Sequence, residues 1–101
     1  MREIKFRIWN GESIEETIID FNIDKDEKYK EFYIYPDDVF MRFTGLKDKN
    51  GVEIYEGDIV YLAGYGNHEC EFPFIELYEA CFEDDIGSIL GNIYENPELL
   101  E

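Results

Sequence analysis

The 101-residue chain carries 25 Asp and Glu against 9 Lys and Arg, a formal net charge of −16. That length suits one domain and excludes two independent cores, while 45% hydrophobic and 17% aromatic residues argue against disorder despite the charge. So large a negative excess disfavours direct contact with nucleic acid or with anionic lipid, both of which need counter-charge.

Residues 3–9 alternate, with Ile4, Phe6 and Ile8 on one face and Lys5 and Arg7 on the other, the period of a half-buried strand. Asn10-Gly11 breaks it. Residues 12–31 carry conflicting signals. Ser13-Ile14-Glu15-Glu16 fits a capping box, and Ile14, Thr17, Ile18 and Phe21 recur at helical spacing, yet Thr17, Ile18 and Ile19 are β-branched. The expectation is a short helical or irregular insertion, then a charged surface loop over 24–31. Residues 31–35 alternate again, Phe32 and Ile34 against Tyr33 and Tyr35, and Pro36-Asp37-Asp38 is a turn. Residues 39–44 read as a strand with Val39, Met41 and Phe43 inward. Asn50-Gly51 predicts a type I′ turn into a returning strand at 52–55. Glu56-Gly57-Asp58 is a second turn, and 59–62 is a fully apolar strand.

After a turn at 64–67, Cys70, Phe72 and Phe74 alternate with Glu69 and Glu71, an edge strand because of Pro73. Residues 76–82 continue it or pair back. Asp84-Asp85 turns the chain, 86–90 and 92–94 read as short strand pieces, and Asn96-Pro97 starts one helical turn. Short strands at close spacing predict a mainly β fold. It is a small SH3-like barrel, by analogy, or a compact antiparallel β domain, one domain over residues 1–101. The helical or irregular insertion sits near its N-terminus and the helical turn at its C-terminus.

The charge is uneven. All nine basic residues lie in residues 1–49, beside 12 acids, whereas residues 50–101 hold 13 acids and no Lys or Arg. The second half therefore cannot neutralise itself by local ion pairs. It faces solvent, where charge favours solubility, or meets a positive surface on the first half, a second copy or a partner. The candidate partner-binding surface is Glu69, Glu71, Glu76, Glu79, Glu83, Asp84 and Asp85.

Candidates for chemistry are few. The one histidine, His68, reads as an exposed loop residue. With Cys70 and Cys81 it gives three metal donors at most, without C-x-x-C spacing. His68 and Cys70 on one strand point to the same side, but nothing supplies an oxyanion hole or a third group. Both cysteines are expected to be free thiols in the core or half-core. Asp48-Lys49-Asn50-Gly51 fails the calcium-loop spacing, and no phosphate-binding glycine motif occurs. Phe6, Tyr33, Tyr35, Phe40 and Phe43, near Arg2, Lys5, Arg7 and Arg42, offer a stacking platform for single strands; core packing is the stronger reading. The N-terminus has positive charge but no apolar run behind it, so no signal peptide is expected, and no window is long and apolar enough to span a bilayer. No cofactor, metal or membrane is expected.

Three blocks stand out: Met1-Arg2-Glu3-Ile4-Lys5-Phe6-Arg7-Ile8-Trp9; Met41-Arg42-Phe43-Thr44-Gly45-Leu46-Lys47-Asp48-Lys49-Asn50-Gly51 with Glu53-Ile54-Tyr55-Glu56-Gly57-Asp58-Ile59-Val60; and Leu90-Gly91-Asn92-Ile93-Tyr94-Glu95-Asn96-Pro97-Glu98-Leu99-Leu100. Together they resemble the YopX family of small phage and prophage proteins. The first departs from the family at Ile8, where a small residue is usual. Residues 10–38 and 61–89 show no matching pattern. The resemblance implies a phage or prophage origin and a site of action in the bacterial cytoplasm. It implies no activity and carries over no catalytic residue. Within the blocks, Ile4, Phe6, Trp9, Phe43, Ile54, Ile59 and Ile93 read as core, and Thr44 and Tyr55 as functional or as hydrogen-bond anchors. The expected role is a non-enzymatic accessory protein that binds a host or phage protein, a basic one among the candidates, through its acidic surface. A self-assembling homo-oligomeric module and a nucleic-acid mimic that blocks a DNA-binding protein are the alternatives.

Overall fold

A computed structural model describes residues 3–20 and 37–101. The strand expected over 31–35, and residues 21–31 of the insertion, lie outside the described residues. The fold is mainly β, as expected, and is made of two antiparallel sheets. The first has the order β2-β1-β3-β4, from Ile14–Asp20, Glu3–Trp9, Val39–Lys47 and Glu53–Tyr55. The second has the order β6-β5-β7, from Gly66–Glu69, Asp58–Leu62 and Ile86–Asn92. One helix, α1 (Ile75–Phe82), precedes β7, and a 3-10 turn (Pro97–Leu100) ends the chain.

The alternation of residues 3–9 does form β1, with Phe6 and Ile8 buried. The helical or irregular reading is corrected at residues 14–20, which form β2 and pair antiparallel with β1 from Trp9↔Ile14 to Glu3↔Asp20. The reason lies in the turn. Asn10 Oδ1 accepts the backbone N–H of Glu12 and Ser13, both at 2.9 Å, and Gly11 takes φ 96°, so the hairpin tip uses the residues that would have capped a helix. The β-branched run then follows its strand preference.

β3 has Met41 inward as expected and changes phase at a bulge between Phe43 and Lys47, with Thr44 buried; Val39, at the start of the strand, lies at the surface. The type I′ turn at Asn50-Gly51 is also corrected: Gly51 has φ 82°, but Asn50 does not take positive φ. Asp48 organises this loop instead. Its Oδ1 accepts the N–H groups of Asn50 (2.8 Å) and Val52 (2.9 Å), and its Oδ2 accepts Ile89 N–H at 3.0 Å. Lys49 N–H donates to Gly87 O and Asn50 Nδ2 to Ser88 Oγ. The β3–β4 loop therefore covers an edge of β7 and joins the two sheets, which blunts an otherwise exposed strand edge.

The edge strand expected over 70–74 is not formed. Residues 71–74 make a turn with a cis Phe72–Pro73 bond, and residues 75–82 are helical. Phe74, Leu77 and Ala80 recur every three residues and are buried, joining Ile54, Val60, Leu62 and Cys70 in the core cluster. Residues 86–92 are one strand rather than two pieces. Asn96 precedes the final 3-10 turn without capping it; its Oδ1 accepts Asn92 N–H. Gly57 in the β4–β5 turn has φ 88°, and a Cβ there would lie 3.1 Å from the Tyr94 ring, so both backbone and packing favour glycine.

Candidate functional site

The acids proposed from the sequence fall on α1 and its two flanks. At 100° per residue, Leu77 and Ala80 turn inward and leave two stripes outside. Ile75, Tyr78 and Phe82 form an apolar stripe at i, i+3 and i+7, with exposures of 56%, 41% and 92%. Glu76, Glu79 and Glu83 form an acidic stripe at the same spacing, all exposed. Tyr78 is held at its tip, since its hydroxyl donates to Thr44 O at 2.6 Å, and its ring packs against Phe74, leaving one face of the ring exposed.

The helix ends in a six-residue cap. Asp84 takes φ 58° and donates its N–H to Cys81 O, while Asp85 N–H donates to Ala80 O at 2.8 Å. This is a Schellman pattern with Asp at the position usually given to glycine. Glu79, Glu83 and the half-buried Asp85 border one hollow of about 340 Å³ with Tyr65, Ala80 and Phe82. Asp84 lies exposed beside it in the chain.

The other two acids, Glu69 and Glu71, lie at a separate groove of about 430 Å³ walled by Phe40, Phe72 and Tyr94. Glu69 is half-buried, and burial, a hydrogen bond with Glu71 and that group's charge raise its pKa. Arg42 stands over the Phe72 ring at 3.9 Å and pairs with Glu56 at 3.2 Å. The sequence-named acids thus form two groups rather than one patch. The apolar stripe and the Arg42–Phe72 contact were not legible as parts of either group, because the helix that aligns the stripe was read as strand.

His68 and the cysteines are placed differently from expectation. His68 is half-buried on β6, not exposed in a loop, and its Nε2 is buried without a hydrogen-bond partner among the described residues. Both thiols are free; Cys70 is buried, but Cys81 is exposed rather than in the core. Burial, with Asp58 and Glu69 nearby, pushes the Cys70 thiol up to about 12, so it holds little thiolate at neutral pH. Among the described residues no group of three His, Cys, Asp or Glu side chains is arranged to hold a metal ion. No described helix is long and apolar enough to cross a membrane.

Thr44 acts as a hydrogen-bond anchor. Thr44 Oγ1 donates to Ile54 O at 2.8 Å and accepts Leu46 N–H. Tyr55 is buried, with the Arg7 guanidinium 4.1 Å over its ring. Arg7 Nη1 also lies 3.6 Å from Asp58 Oδ2, which accepts Tyr55 N–H at 2.8 Å. Asp58 is nearly inaccessible, and burial raises its pKa to about 6 against the opposing pull of that hydrogen bond and of Arg7. Of the platform aromatics, Phe6 is buried against Phe40, which is 40% exposed, and Phe43 is half-buried against Tyr55; Tyr33 and Tyr35 lie outside the described residues.

No curated protein matches this chain. The family model described as YopX protein matches residues 5–82. It takes in residues 5–9 of the first resembling block, the segment that follows and the whole of the second block, continues through α1, and stops before the third block. With more than half of its length matched, this chain belongs to the YopX family.

Proposed function

We propose that the protein is a non-enzymatic phage or prophage accessory protein that acts in the bacterial cytoplasm. It binds a host or phage protein through the acidic surface of residues 69–85. One observation carries this reading: seven acids, in two groups, lie beside exposed apolar side chains in a half-chain that has no Lys or Arg. Such a surface attracts a basic partner at long range and gives it apolar area to bury on contact.

The test is capture of partners by the tagged full chain from bacterial lysate at low and high salt, with nuclease present. A protein recovered at low salt and lost at high salt is the expected result. Recovery that ignores salt, or no partner at all, removes the acidic surface as the binding device.

A further inference from the structure

We infer that α1 is the docking element itself, a helix that inserts Ile75 and Phe82 into an apolar groove of its partner, with the exposed face of the Tyr78 ring, pinned to its own sheet through the hydroxyl, lying between them. A row of Lys or Arg along one rim of that groove meets Glu76, Glu79 and Glu83. The inference rests on the protein-binding reading above and names the contact and the chemistry of the other side.

Three features point this way. First, the inward face of α1 is fully committed to the core through Leu77 and Ala80, so the outer stripes are the fixed outward display of the helix. Apolar anchors at i, i+3 and i+7 are the pattern by which a helix fills a groove.

Second, the acids are placed against the stability of the helix. Negative charge is favourable at a helix N-terminus and unfavourable at its C-terminus. Glu76 is in the first turn, but Glu79 is in the last turn, which has no basic residue, and Glu83, Asp84 and Asp85 follow at once. Glu76–Glu79 and Glu79–Glu83 are also like-charged neighbours at i,i+3 and i,i+4. Folding alone does not explain Glu79 and Glu83, whereas a cationic rim relieves both together with the repulsion they share with Glu76.

Third, the two stripes lie side by side, so the partner is specified: apolar where it meets Ile75, Tyr78 and Phe82, and basic on the side that meets the glutamates. Packing of α1 on α1 of a second copy is a poor arrangement, because the like-charged stripes would oppose each other.

Two measurements on the full chain test this. The first compares fold stability and partner affinity in Glu79→Lys/Glu83→Lys. The helix argument predicts a thermal midpoint equal to or above that of the original protein, together with affinity for the captured partner weakened by about tenfold or more. A purely structural role for these acids moves both quantities in the same direction. An unchanged affinity with intact fold overturns the proposal.

The second places a photo-crosslinking residue at Phe82, at Ile75 or, as a comparison, at the exposed Leu90 of β7. Crosslinks at Phe82 and Ile75 to a partner segment rich in apolar and basic residues are expected. Crosslinks at Leu90 alone, or to an acidic segment, overturn the helix assignment while leaving the protein-binding reading standing. No crosslink at any position, with no salt-sensitive capture, overturns both.

Discussion

Replacing Asp48 with Ala removes one carboxylate that accepts three backbone N–H groups, from Asn50, Val52 and Ile89, at 2.8–3.0 Å. Asn50 and Val52 are exposed enough for water to take over their N–H groups, and Ile89 is half-buried on β7. A hydrogen bond to a charged group contributes about 1.5–3 kcal/mol, and less where water substitutes. Counting Ile89 near the full value and the two loop bonds at a fraction gives a loss of about 3 kcal/mol. For a domain of this size that lowers the thermal midpoint by more than about 10 °C. Asp48→Asn keeps one acceptor and loses roughly half as much. Urea denaturation gives the free energies, and hydrogen exchange locates the effect, because the Ile89 amide should lose protection first. A loss below about 0.5 kcal/mol, or an Ile89 amide protected as before, would refute the view that Asp48 ties the two sheets together.

The remaining predictions concern pH, the helix and the thiols. Asp58 binds its proton more tightly in the folded protein, with a pKa of about 6 against the ordinary 3.8. Stability is therefore higher below this window and falls by up to about 3 kcal/mol as pH rises through it. Urea midpoints of the original protein and Asp58→Asn across that range check this, and parallel profiles would contradict it. Asp48 acts in the opposite sense. Burial raises its pKa, but the three backbone bonds and Lys49 together hold it below the ordinary value, so its contribution is lost only in stronger acid. Leu77→Ala empties a fully buried site under α1 and should destabilise by about 2–5 kcal/mol in the same assay. Asp84→Gly relieves the positive φ of the helix cap and should stabilise by about 0.5–1 kcal/mol. In the native state a thiol reagent should modify Cys81 quickly and Cys70 only on unfolding, as read by mass spectrometry.

The parts of the fold visible in the sequence are those where one strong signal stands alone. Alternation in β1 and the apolar run of β5 are of this kind. The errors arise where two local signals compete. Residues 13–16 resemble a helix cap, but Asn10 had already claimed the Ser13 N–H for the hairpin tip. Phe72 and Phe74 alternate like a strand, yet Phe74 also begins the three-residue spacing of Leu77 and Ala80, and burial of that second pattern prevails. Asp48 gave no signal, because its partners lie in its own loop and 41 residues away on β7. The acids of residues 69–85 were visible from the missing cations alone. Their division into a helix stripe and a separate groove was not, since it depends on the geometry of α1.

The most direct test of the central claim is capture by the tagged full chain from bacterial lysate, run beside Glu76→Gln/Glu79→Gln/Glu83→Gln at low and high salt. The account predicts a partner that binds the original chain at low salt and is depleted both by high salt and by neutralising the stripe. A partner retained equally by both proteins at both salt concentrations would contradict it.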